Sequence, residues 1–227
     1  GGNGAGKSTL LNAIAGVYAM DEGQIFIDQA EVSGLPEYVR ASYVGRVFQD
    51  PMMGTAASMT IEENLAMAMK RGMRRRLKRG VVKKDREFFC DQLHLLGLGL
   101  EDRLTTRVGL LSGGQRQALT LLMATLRPPK LLLLDEHTAA LDPHTAEKVL
   151  ELTDLIISRH QLTTLMVTHN MEDALRIGNR TIMMHEGRVI LDLGESQRKD
   201  TCIPDLLEMF KKASGITMAD DKMLLAN

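Results

Sequence analysis

Gly1-Gly2-Asn3-Gly4-Ala5-Gly6-Lys7-Ser8 fits G-x-x-x-x-G-K-[ST], the spacing of a phosphate-binding loop. Glycines there let successive backbone N–H groups face a phosphate chain without an obstructing Cβ. The helix that follows adds the partial positive charge of its N-terminus. Lys7 then suits the β- and γ-phosphates and the Ser8 hydroxyl suits Mg²⁺, with Thr9 next in the chain. A second set is Leu131-Leu132-Leu133-Leu134-Asp135-Glu136. An apolar strand ending in two carboxylates carries them at its C-terminal edge, where ligands bind in open α/β sheets. Asp135 suits Mg²⁺, through the ion's water shell, and Glu136 the polarisation of an attacking water. The third set, Leu111-Ser112-Gly113-Gly114-Gln115, is another glycine-opened helix start able to bind an anion. A chain with one phosphate loop does not need a second anion cradle unless that cradle serves another chain's nucleotide.

These groups need elements to position them. Leu10, Leu11, Ile14 and Val17 recur at helical spacing behind the glycine loop. Gln24–Asp28 and Tyr43–Gln49 read as short strands, with turns at Gly23 and at Gly34-Leu35-Pro36. Thr60-Ile61-Glu62-Glu63 is a capping box, opening a helix with Ile61, Leu65 and Met69 on one face. A second helix is expected from about Asp85 to Leu96, and a third, capped by Ser112, from Gly113 to about Leu126, before Pro128-Pro129. The Leu131–Leu134 run lacks alternation, which predicts a strand buried on both faces of a parallel sheet. Pro143 starts a helix to about His160, followed by a strand Thr163–Val167. Thr181–Met184 and Arg188–Leu193 form a closing hairpin through Glu186-Gly187. Leu206, Leu207 and Phe210 fit a short docked helix, and Ala219–Asn227 a loose tail.

Composition bounds the alternatives. The 227 residues are 44% hydrophobic and 25% charged, a globular balance that excludes a wholly disordered or collagen-like chain. No apolar run approaches the ~18 residues of a membrane-spanning helix. Cys90 and Cys202 give neither a disulfide framework nor metal spacing, and no secretory leader opens the sequence. A reducing, cytoplasmic setting is the expectation. The net charge of −1 hides an asymmetry: ten of the 28 Lys and Arg fall between Lys70 and Arg86, with Asp85 the one acid among them. That stretch reads as a solvated face or loop, as a contact for anionic lipid head groups, or as a nucleic-acid contact, the last disfavoured because no aromatic residue interleaves with the charges.

Together, the glycine loop, the Leu-Ser-Gly-Gly-Gln segment and the Asp-Glu strand end resemble the ATP-binding cassette family, from Gly1 to about Leu193. The resemblance implies an α/β P-loop NTPase fold with a mixed or parallel sheet core. It places a helical signature-motif subdomain at about 52–127 in a cassette domain of residues 1–200, with a C-terminal helix and tail at 201–227. It implies two ATP molecules sandwiched in a head-to-tail dimer, with Ser112, Gly113, Gly114 and Gln115 capping the γ-phosphate held by the opposite subunit. Gln49, in Val47-Phe48-Gln49-Asp50-Pro51, resembles the Q-loop glutamine that meets Mg²⁺ and the attacking water. Ala139-Ala140-Leu141-Asp142 resembles the D-loop, which includes Ala140 and Asp142, and His169 the switch histidine near the γ-phosphate. Gly1 to Thr9 and Gln49 would bind ATP; Ser8, Gln49 and Asp135 would hold Mg²⁺; Lys7, Glu136 and His169 would be catalytic.

One departure is His137, where many relatives have proline. It reads as a tolerated substitution or as a change in loop stiffness and local charge. His94, His144, His160 and His185 show no ligand spacing and read as structural. Met52, Met53, Met59, Met67, Met69 and Met73 fill a core or form an adaptable groove for a membrane subunit's coupling helix. The resemblance implies an ATPase driving solute import, of amino-acid-type substrates, at the cytoplasmic face of the membrane. Its partners would be a second ATPase subunit, identical or not, a separate permease and, indirectly, a substrate-binding protein, with no nucleic acid. The alternatives are a soluble cassette acting on nucleic acid or ribosomes, and a regulatory module without turnover.

The resemblance also places a strand and an adenine-stacking aromatic residue before the phosphate loop, upstream of Gly1. The sequence as given is therefore expected to be N-terminally truncated, and to fold poorly or bind ATP more weakly than a version extended at its N-terminus. Equal ATP affinity in a side-by-side titration would refute that expectation.

Overall fold

A computed structural model of the protein describes residues 4–73 and 80–214. Gly1, Gly2 and Asn3 of the glycine loop, Arg74, Arg75, Arg76, Lys78 and Arg79 of the basic stretch, and the tail expected over Ala219–Asn227 lie outside the described residues. The chain divides into two units, residues 12–166 and residues 1–11 with 167–227.

The elements begin with α1 (Lys7–Ala15), the paired strands β1 (Phe26–Ile27) and β2 (Ala30–Glu31), and a single turn, α2 (Glu37–Arg40). Then follow β3 (Val44–Val47), α3 (Ile61–Met69), α4 (Lys83–His94) and α5 (Gly113–Thr125). Next are β4 (Leu131–Asp135), α6 (Pro143–His160) and β5 (Thr164–Val167). The last are α7 (Met171–Arg176), β6 (Thr181–His185), β7 (Arg188–Leu193), α8 (Glu195–Lys199) and α9 (Ile203–Ser214).

In the larger unit β4 is the centre of a sheet ordered β3-β4-β5, and β3 runs parallel to it with Val44 opposite Leu131 and Val47 opposite Leu134. Leu132, Leu133 and Leu134 are wholly buried, as the unbroken apolar run predicts. The core continues from Leu132 and Leu134 through Leu119 and Leu122 of α5 to Ile61 and Leu65 of α3 and Phe89 and Leu93 of α4. Gly45 makes the approach of α5 possible: a Cβ there would lie 2.7 Å from the Ala124 carbonyl oxygen. The smaller unit has its own apolar cluster, where Met183 and Leu193 of the β6–β7 hairpin meet Leu206 and Phe210 of α9.

Helix ends are tied by side chains. Thr60 and Glu63 form the expected capping box of α3. The buried Arg40 donates to the carbonyls of Ala13, Ile14, Ser33 and Leu35 at 2.6–3.1 Å, closing the last turn of α1. Gly16, at φ +86, has Arg40 so close that a Cβ would lie 2.9 Å from its Cδ and Nε. Arg198 serves α7 in the same way, donating to the Leu175 and Ile177 carbonyls.

Several boundaries move. The first expected strand shrinks to Phe26–Ile27 and the second to Val44–Val47, because turns at Asp28-Gln29 and beyond Val47 take up the flanks. The second helix begins at Lys83, where Asp85 accepts from the Val82 N–H. Two members of the basic stretch are structural: Arg71 donates to the Ala124 and Arg127 carbonyls, and Arg86 pairs with the nearly buried Glu62. Of the methionines, Met69 packs against the core, whereas Met52, Met53, Met67 and Met73 are exposed. Core filling is thus corrected for those four: they follow turns or fall on the outer face of α3.

His137 lies just beyond β4 and is only 2% exposed. Its Nε2 is 3.1 Å from the Thr153 hydroxyl, which itself donates to the Val149 carbonyl. Thr153 must therefore accept, and the imidazole carries its proton on Nε2. Burial pushes its pKa down to about 4, so the ring is neutral near pH 7 and adds no charge beside Glu136.

Arg40→Met removes four hydrogen bonds to carbonyls and is expected to cost about 3 kcal/mol, a fall of roughly 6–12 °C in Tm by calorimetry; a change within a degree would refute the anchor. His137 binds a proton more readily unfolded than folded, so its contribution is complete above pH ~6.5 and is lost as pH falls towards ~4. Denaturant titrations across that window should show wild type losing about 3 kcal/mol more than His137→Gln. Parallel pH profiles would overturn the assignment.

Candidate nucleotide site

The described part of the glycine loop, with Lys7, Ser8, Thr9 and His169, belongs to the smaller unit. Gln49, the Leu111–Gln115 segment, Asp135, Glu136, Ala140 and Asp142 belong to the larger.

Gly4 and Gly6 take φ +77 and +91, a left-handed backbone that β-carbons disfavour, and α1 begins directly after them at Lys7. Gly6 is doubly constrained: a Cβ there would lie 3.3 Å from the Gly187 Cα in the β6–β7 turn. The Gly187 N–H donates to the Ala5 carbonyl at 3.1 Å, so the hairpin braces the loop. No signal in the sequence marked that contact. Ser8 and Thr9 are exposed at the start of the helix, Lys7 half-buried. His169 is exposed after β5, between Thr168 and Asn170; the Thr168 hydroxyl accepts from the Asn170 N–H, and Asn170 caps α7.

In the larger unit, Asp135 closes β4 and Glu136 follows at φ +45, a left-handed conformation uncommon outside glycine, Asn and Asp. The Asp135 carboxylate is 13% exposed and lies 3.6 Å from the Arg46 guanidinium. Gln49 is exposed beyond β3, and the Gln117 side chain donates to the preceding Phe48 carbonyl at 3.1 Å. Ser112 caps α5 reciprocally with Gln115: the Ser112 hydroxyl accepts from the Gln115 N–H, and the Ser112 N–H donates to Gln115 Oε1. Ser112 and Gly113 stay exposed at the helix N-terminus. Gly114 is buried, and a Cβ on it would come 2.2 Å from the Thr145 Cγ2 of α6. Asp142 caps α6, accepting from the Thr145 N–H at 3.1 Å, and bonds from the Thr145 hydroxyl and N–H lower its pKa. Ala140 is exposed in the turn before it.

The first turns of α1 and α5 present backbone N–H groups to an anion. In the larger unit the Gln49 carboxamide and the Asp135 carboxylate are hard oxygen donors, of the kind Mg²⁺ favours over softer metals; in the smaller unit the Ser8 hydroxyl is another. Arg46 and Gln117, both tied to the strand that leads to Gln49, escaped the sequence reading. An arginine within Val44-Gly45-Arg46-Val47-Phe48 was the available signal.

The chain matches the ABC transporter family over residues 1–139. It is 47% identical over 216 residues, 94% of this chain and 84% of the relative, to a tyrosine transport ATP-binding protein of Clostridioides difficile (strain R20291). It is 36% identical over 192 residues, 85% of this chain and 76% of the relative, to the thiamine import ATP-binding protein ThiQ of Yersinia pseudotuberculosis. Among solved structures it resembles the dimeric ATP-binding cassette MJ0796 bound to ADP and Pi, with a TM-score of 0.70 and 27% identity over 84% of this chain and 81% of that one. The chain belongs to the ABC transporter family, as an ATP-binding subunit whose ATP hydrolysis is coupled to transport.

Proposed function

We propose that this cassette powers solute import through separate membrane subunits, with an amino acid of the aromatic class as cargo. The observation that carries the reading is the 47% identity, across 94% of the chain, to a tyrosine transport ATP-binding protein. The import proteins for thiamine and methionine among its relatives support the direction. In this reading the chain docks on its permease at the cytoplasmic face of the membrane. No helix among the described residues is long and apolar enough to cross a membrane.

The roles follow from chemistry. The N–H groups at the start of α1, with Gly1 to Thr9, bind the phosphates, and Lys7 neutralises the β- and γ-oxygens. Ser8, Gln49 and Asp135 would hold Mg²⁺, which supplies charge neutralisation on the phosphates. Glu136 orients and polarises the water that attacks the γ-phosphorus in line, while the bond to the ADP oxygen breaks, yielding ADP and phosphate. His169 donates to the γ-phosphate oxygens as charge builds on them. Ser112, Gly113, Gly114 and Gln115 serve the nucleotide of a second subunit, through exposed groups at the N-terminus of α5, and Ala140 and Asp142 lie along that dimer contact. The dimeric ADP-bound relative supports this arrangement.

Glu136→Gln is expected to keep ATP affinity, to accumulate an ATP-bound dimer in size-exclusion chromatography, and to lose about 10²- to 10⁴-fold in steady-state hydrolysis. Unchanged turnover would remove Glu136 from the mechanism. Uptake of labelled tyrosine by cells carrying or lacking the gene, with thiamine and methionine as competitors, tests the cargo. Uptake that does not depend on the gene would overturn the aromatic assignment.

A further inference from the structure

Strand β3 places one charged residue in an apolar run, Val44-Gly45-Arg46-Val47. Its register sets Arg46 opposite Leu133, and side chains alternate along a strand, so Arg46 and Phe48 share a face with Leu133 and Asp135. On that face the guanidinium carbon lies 4.5 Å from the centroid of the Phe48 ring, and Nη2 lies 3.6 Å from Asp135 Oδ2. Both side chains are nearly buried, at 14% and 13% exposure. The Arg46 Nε is buried with no hydrogen-bond acceptor among the described residues. A leucine or methionine would fill the same space without stranding an N–H, so packing does not account for the arginine. At 3.6 Å the contact with Asp135 is longer than a hydrogen bond and rests on charge, in surroundings that screen charge less than water does.

We propose that Arg46 is a positioning residue for Asp135, acting as the counter-ion that holds its carboxylate and competes with Mg²⁺ for it. The inference rests on the reading of Asp135 as a Mg²⁺ ligand. A cation arriving beside Asp135 meets a fixed positive charge, which reduces what the metal adds to nucleotide binding. When the metal leaves with the product, the guanidinium is still in place beside the carboxylate. Arg46 thereby sets the balance between loading the metal and releasing it.

The test compares the Kd of a non-hydrolysable ATP analogue in EDTA with its Kd in Mg²⁺, for wild type, Arg46→Met, Arg46→Lys and Asp135→Asn. The ratio of the two isolates the metal's contribution. Arg46→Met should raise that ratio about fivefold, because the charge that opposes the metal is gone. Arg46→Lys keeps the charge and should restore the ratio to within about twofold of wild type. Asp135→Asn should lose most of the Mg²⁺ effect. If it keeps the wild-type ratio, Asp135 is not the ligand and the underlying reading fails. If Asp135→Asn loses the effect while Arg46→Met leaves the ratio unchanged or lowers it, Arg46 is not a competitor and the proposal falls. Equal behaviour of the Met and Lys variants would overturn it too, because only the charge separates them. Should Arg46→Met fail to fold, Arg46→Gln takes its place with the same expected rise.

Discussion

A strand buried on both faces has to hand its backbone to neighbouring strands and its side chains to helices, because nothing else in a dry interior can satisfy them. Strand β4 imposes that constraint here. Leu132, Leu133 and Leu134 admit no water, so β3 and β5 lie alongside and α5 comes down close enough for Gly45 to face the Ala124 carbonyl. The chain reaches its first polar side chains of the strand at Asp135 and Glu136, where the apolar interior ends. Carboxylates placed this way have little freedom, since three fully packed residues fix the strand behind them. The left-handed turn at Glu136 comes immediately after that anchored segment.

Much of this was legible in the residues themselves. The continuous leucines foretold burial, the Thr60–Glu63 pair and the Ser112 cap foretold two helix starts, and Pro143 a third. All of these are local patterns, in which a few adjacent side chains satisfy the backbone beside them. The interactions that stayed hidden join residues far apart in sequence. Arg40 closes α1 from 26 and 27 residues away, and Arg71 holds the end of α5 from more than 50. No periodicity announces such arginines. Charge counting misled in the same way, merging Arg71 and Arg86, which have specific partners, into one basic stretch open to solvent, lipid or nucleic acid.

His137 shows how little a polar residue type says before its surroundings are known. Beside two carboxylates, a histidine invites a reading in terms of charge. Buried against Thr153 it stays neutral, and serves α6 as a packed hydrogen-bond donor. Arg46 is the converse case: a residue inside a short strand, which would ordinarily be assigned to packing, carries its charge to the nearest carboxylate. In both, burial decides the outcome, by removing charge from the imidazole and by strengthening the pull between the guanidinium and the carboxylate beside it.

The contact between Gly114 and Thr145 reaches beyond helix packing. Any side chain at Gly114 drives into Thr145, whose hydroxyl and N–H are the groups that hold Asp142 at the start of α6. Strain applied at one motif would thus be relayed, through a single threonine, to the other. The two stretches proposed to face a second subunit are mechanically one surface here. A change at Gly114 therefore disturbs Asp142 as well, whereas a change at the exposed Ser112 tests the helix start alone.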